Sequence, residues 1–176
     1  IATTIQDIVV VLFQGLSAAT AVILGNELGA GKIKRAEKYA TQFFILQFIV
    51  TIASAFVVIG IRGPLIGLYN ITEAVGRDVN ICILIFACYM PAKMFNYVNV
   101  VGVLRSGGDT KMCLFLDTSG VWCIGVPLAF LGALVWHLPI YVVYGLVMLE
   151  EVYKAVLGYI RYRQKKWLRN LTVQVR

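Results

Sequence analysis

The chain has 176 residues, of which 60% are hydrophobic and 14% charged. Soluble domains carry about 25% charged and 45–50% apolar residues, so too few charges are present to coat a water-facing fold of this length. The net charge of +7 comes from basic residues gathered at the ends of apolar runs, which argues against a nucleic-acid partner.

Five apolar runs follow in chain order, at residues 5–28, 39–61, 79–104, 112–136 and 138–160. Each is about 20 residues or longer, enough to cross a ~30 Å hydrocarbon core as helix. They do not alternate in polarity as barrel strands do, and in lipid every backbone group must be satisfied within its own segment. The expected fold is therefore all-α, a polytopic transmembrane bundle over 1–160 followed by a basic tail, 161–176. The first run begins almost at Ile1, with no basic n-region before it, so a chain that opens inside a helix is expected.

The first run ends in Gly25-Asn26-Glu27-Leu28-Gly29-Ala30-Gly31-Lys32. Gly25 and Gly29 have the spacing that lets helices approach closely. The string fails as a phosphate loop, since Ala30 and Ile33 stand where that motif needs Gly and Ser or Thr. After the second run, Pro64 and its flanking glycines predict a turn, and Asn70-Ile71-Thr72-Glu73 the cap of a short interfacial helix. Asn70-Ile71-Thr72 also matches a glycosylation sequon. Pro91 predicts a kink in the third run. That run closes in a polar turn, Arg105-Ser106-Gly107-Gly108-Asp109. Cys82, Cys88, Cys113 and Cys123 lie in apolar runs without metal-ligand spacing and read as small buried hydrophobes; no metal or cofactor is expected.

Twelve basic residues fall in the loop at 29–38, the loop at 105–111 and the tail, against Arg62 and Arg77 on the other side. This bias places the first and third connections and the C-terminus in the cytoplasm. Trp167 and the tail's basic residues are expected at an anionic leaflet.

Charges inside the membrane are costly and usually face protein or water with a partner. Lys93 lies near the middle of the third run, and Glu150 and Glu151 near the middle of the fifth, which predicts an interior ion pair between Lys93 and one of the two acids. The spare carboxylate is a candidate proton or sodium site; the plainer reading is an architectural pair, with Glu150 bonding Lys154 one turn away. Asp117, near the basic face, is a structural charge suited to snorkelling or to capping the Arg105–Lys111 turn. Asp7 lies near the outer end of the first run. Gln6, Gln14, Gln47, Asn96 and Asn99 suit interhelical bonds or cavity lining, and His137 a solvated turn.

Two motifs carry a family resemblance. Gly25-Asn26-Glu27-Leu28-Gly29-Ala30-Gly31-Lys32 followed by Arg35-Ala36-Glu37, and Leu104-Arg105-Ser106-Gly107-Gly108-Asp109-Thr110, resemble two cytoplasmic turns of the multidrug and toxic compound extrusion (MATE) family. Gly120 to Leu128 and Lys165-Lys166-Trp167 fit bacterial members as well. The resemblance implies a twelve-helix inner-membrane transporter of two lobes that exchanges cationic or amphipathic drugs for sodium ions or protons. The five runs would be helices eight to twelve, with the N-terminal lobe as partner alongside the drug and the bilayer. Where members of the family place an acid in helix ten this chain has Lys93, leaving Lys93, Asn96 and Asn99 as candidates there. The alternatives are a lipid-linked oligosaccharide flippase of the wider superfamily, which should show a more cationic cavity, and a non-transporting membrane remnant. No nucleophile–base pair or cofactor motif points to an enzyme.

Overall fold

The computed structural model describes residues 2–69 and 71–169. Those residues form five long helices and no strand: α1 (Ala2–Gly29), α2 (Ile33–Gly67), α3 (Glu73–Leu104), α4 (Thr110–Val135) and α5 (Ile140–Arg163). The first four are long and apolar enough to cross a membrane. The fifth, expected span has the length, 24 residues, but carries Glu150, Glu151 and Lys154 at mid-helix. The all-α polytopic bundle is the observed architecture.

Two local readings are corrected. The helix does not turn at Pro64: α2 continues through it to Gly67. Glu73 opens α3 itself rather than a separate interfacial helix, with Thr72 at the N-cap; Asn70, which completes the sequon, lies outside the described residues. A run of apolar neighbours keeps the backbone bonded internally in lipid, and that requirement overrides the local turn signal.

Helix α3 is the hub, contacting α1, α2 and α5, while α4 packs along α5. Its last part, Tyr97–Leu104, is wound as a wider π-type helix, as are Val121–Gly125 and Leu131–Val135 of α4. Such winding marks strain or function more often than chance. Here it coincides with close packing. Ser17 Oγ of α1 donates to the Tyr97 carbonyl at 2.8 Å. A Cβ at Gly102 would lie 3.0 Å from Thr20, so small residues bring α1 and α3 together, as helices without a hydrophobic drive between them require. Gly25 does not do this work: a Cβ there would meet nothing within 4 Å.

Two apolar cores result. One groups Phe13, Ile83, Phe86, Met90 and Met94. The other, at the end that carries the basic turns, groups Leu24, Leu28, Val103, Leu104, Leu116 and Trp167. Phe56, Trp122 and Ile140 are among many large apolar residues left exposed on the outside of the bundle, where lipid replaces water as solvent. Cys82 and Cys113 are buried as expected, but Cys88 and Cys123 are exposed on that outer surface.

Trp167 overturns its expectation as an interfacial anchor. It is fully buried, its ring stacked on Tyr162 with centroids 5.7 Å apart. The chain after α5 doubles back to insert it, helped by the positive φ of Lys165 at 55° and a 2.6 Å ion pair from Lys165 to Glu37.

Candidate functional site

Two helices place a charge cluster at mid-length. Lys93 and Asn96 come from the last turns of α3 before its π-type section, and Glu150, Glu151 and Lys154 from consecutive turns of α5. Lys93 Nζ lies 3.5 Å from Glu151 Oε1. Lys154 Nζ lies 3.5 Å from Glu151 Oε2 and 3.4 Å from Glu150 Oε1. Asn96 Nδ2 donates to both the Glu151 carbonyl, at 2.8 Å, and its carboxylate Oε2, at 2.9 Å. Glu151 is thus the centre, held by two ammonium groups and an amide. Both ion pairs expected from the sequence are present: Lys93 meets Glu151, and Glu150 meets Lys154 one turn on.

Helix α4 closes the third side by having no side chain there. A Cβ at Gly125 would fall 2.5 Å from Glu150 Oε2, and one at Gly120 would fall 2.9 Å from the Lys154 stem. These glycines, five residues apart around a π-type turn, are the part of the site that the sequence did not reveal. Their spacing along an otherwise bulky helix was the available signal.

A cavity of about 220 Å³ opens beside the cluster, lined by Lys93, Asn96, Tyr97, Asp117, Glu151 and Lys154 among others. Asp117 therefore faces the cluster's cavity from α4, and among the described residues it forms no ion pair. The Asn96 Oδ1 atom is buried without a hydrogen-bond partner. Asn99 is fully buried, with neither amide atom bonded, and packs against Gly158; it does not reach the cavity. Asp7 and Gln14 are exposed on α1, and Gln6 donates to the Tyr144 hydroxyl. His137 sits in the α4–α5 turn with φ 48°. Among the described residues, no group of three or more His, Cys, Asp and Glu could hold a metal ion.

The turn motifs lie at helix ends, after α1 and between α3 and α4. Gly29 ends α1 and Gly31 follows with φ 73°, a conformation that favours glycine. Gly108 repeats this with φ 76° before α4. Asp109, at the α4 N-cap, takes a fork from Arg161: Nε to Oδ2 at 2.5 Å and Nη2 to Oδ1 at 2.9 Å. The bond to Asp109 raises the Arg161 pKa further above its ordinary value. Arg105 is exposed. Asp109→Asn removes the charge-assisted pair, typically worth about 1.5–3 kcal/mol. A lowered unfolding midpoint in detergent is expected, and an unchanged one would show that the fork does not tie α5 to the turn.

The family model for MatE matches residues 1–131. The chain belongs to the MatE family. It is 21% identical over 153 residues to the uncharacterized transporter YisQ of Bacillus subtilis, covering 87% of this chain and 33% of that protein. Against multidrug and toxin extrusion protein 1 of Homo sapiens it is 25% identical over 151 residues, 83% of this chain and 26% of the relative. Against multidrug resistance protein MdtK of Yersinia pseudotuberculosis it is 27% identical over 133 residues, 74% of this chain and 28% of the relative. The chain spans about a third or less of the length of these relatives. No solved structure matches the chain significantly. As a member of the MatE family with four membrane-length apolar helices, it is a multi-pass membrane protein.

Proposed function

We propose that the chain is one lobe of a secondary active multidrug efflux antiporter, exporting cationic or amphipathic compounds in exchange for sodium ions or protons. The carrying observation is a carboxylate-centred charge cluster beside a cavity at mid-helix, in a chain of the MatE family. Buried ionisable groups in membrane helices mark ion and substrate paths by default. In this reading Glu151 and Glu150 take part in coupling, Lys93 and Lys154 hold them in place, and Asn96 orients Glu151. In the same reading the first and third connections and the tail, where basic residues are in excess, lie on the cytoplasmic side of the inner membrane, with the other lobe as partner. The two lysines are matched by Glu150 and Glu151, and Asp117 adds a third carboxylate. That balance suits a cationic solute better than the oligosaccharide phosphate of a flippase.

The test is efflux of a fluorescent cationic dye from inverted vesicles under imposed sodium or proton gradients. Gradient-driven efflux is expected, cut at least ten-fold in Glu151→Gln or Glu150→Gln. Efflux that survives both, and Lys93→Ala as well, would make the cluster architectural and place coupling elsewhere.

A further inference from the structure

Two adjoining pockets lie away from the charge cluster, an outer one between α2 and the end of α5 and an inner one chiefly between α2 and α3. The outer one, about 490 Å³, is lined by Glu37, Thr41, Tyr162, Arg163 and Lys165 among others. The inner one, about 530 Å³, is lined by Ile45, Phe48, Pro91, Phe95 and Ala155, among others, and is almost wholly apolar. Thr41 and Phe44 belong to both chambers, so polar chemistry at the helix ends gives way to apolar chemistry at membrane depth within one cleft.

The walls are ordered by aromatic contacts. Phe95 stacks on Phe44 at 5.1 Å, Phe44 meets Tyr162 edge-on at 4.9 Å, and Tyr162 stacks on the buried Trp167. At the neck, the Thr41 and Tyr162 hydroxyls lie 3.4 Å apart. The charge balance of the outer chamber is positive. Glu37 is taken by Lys165 at 2.6 Å, while the Arg163 guanidinium stands 6.0 Å over the Tyr159 ring and forms no ion pair among the described residues. The Thr41 hydroxyl donates to the Glu37 carbonyl at 3.1 Å, which leaves the unpaired Arg163 guanidinium fork and the Tyr162 hydroxyl, lining the same chamber, as the groups that fit a phosphate. Basic pockets between helix ends are the sites where anionic headgroups lodge.

We propose that this cleft binds one membrane phospholipid with an anionic headgroup, its phosphate on Arg163 beside the Tyr162 hydroxyl and an acyl chain along Phe44 and Phe95. The site is separate from the cavity of the charge cluster and does not depend on what that cavity transports. Occupied, it ties α2 to α5 and to the Trp167 segment, so the lipid stabilises the basic end of the bundle.

The experiment is native mass spectrometry of the purified protein given equimolar phosphatidylglycerol and phosphatidylcholine. Preferential retention of one phosphatidylglycerol is expected. Arg163→Gln is expected to reduce that preference about five-fold, the effect of one basic contact to an anionic headgroup. Thr41→Trp keeps every charge but fills the neck, and is expected to abolish retention, so the test stands even if one variant fails to fold. An excess of inorganic phosphate should leave the lipid bound. Equal retention of the two lipids by the unmodified protein, an unchanged preference in both variants, or displacement by phosphate alone would each overturn the proposal.

Discussion

Replacing Trp167 by alanine is expected to lower stability by about 3–5 kcal/mol, the range for emptying a large buried aromatic site. Trp167 is fully buried among Leu24, Leu28, Val103, Leu104 and Leu116, so its removal opens a cavity where α1, α3 and α4 meet. The backbone that delivers it is held just as tightly. A Cβ at Gly107 would fall 2.6 Å from the Trp167 carbonyl carbon and 2.9 Å from its Cα. Those are backbone atoms that cannot swing aside, so Gly107→Ala must push the segment out, at about 1–3 kcal/mol for a forced overpacking. Unfolding midpoints in detergent measure both. Limited trypsin digestion at Lys165 and Lys166 reports the detachment directly, and should quicken in each variant. In the Trp167→Ala background, Gly107→Ala should add almost nothing, since the segment is already loose. Full additivity of the two effects would show that Gly107 does not act through Trp167.

This anchor also shows where the sequence was legible and where it was not. The five helices could be read from apolar runs because membrane thickness and backbone satisfaction constrain them one segment at a time. Lys93 and the Glu150-Glu151 pair could be matched in depth for the same reason: an expensive charge needs a partner. Choosing Glu151 over Glu150 for Lys93 needed the rotation of α5, which no local pattern fixes. Turn signals misled at Pro64, where a Pro in a membrane helix costs one internal bond yet the helix runs on to Gly67. Trp167 misled because a Trp among basic residues reads as an interfacial anchor. Its burial depends on Gly107, sixty residues earlier in the chain, making room for its backbone. Gly120 and Gly125 escaped for the same reason, since a glycine's use as empty space beside Lys154 and Glu150 appears only when the helices are packed.

Glu151→Gln is expected to be the most damaging neutralisation in the charge cluster, at about 3–5 kcal/mol for breaking a buried pair by removing one partner. Glu151 accepts Asn96 and faces both lysines, so the change leaves Lys93 without any carboxylate within pairing distance. Glu150→Gln should cost clearly less, because Lys154 keeps Glu151 at 3.5 Å. Gln is close in shape to Glu, which keeps packing nearly constant and isolates the charge. Neutralising both members of the pair, Lys93→Gln with Glu151→Gln, should recover much of the loss, since neither residue then leaves its partner as an uncompensated charge and Lys154 keeps Glu150. Thermal unfolding of the purified protein gives all three values. Equal costs for the two glutamates, or no recovery in the double variant, would remove Glu151 from the centre of the network. A double variant that regains stability but not gradient-driven efflux would separate stability from the proposed coupling role, because packing would then be restored while the carboxylate to which that proposal assigns coupling stays absent.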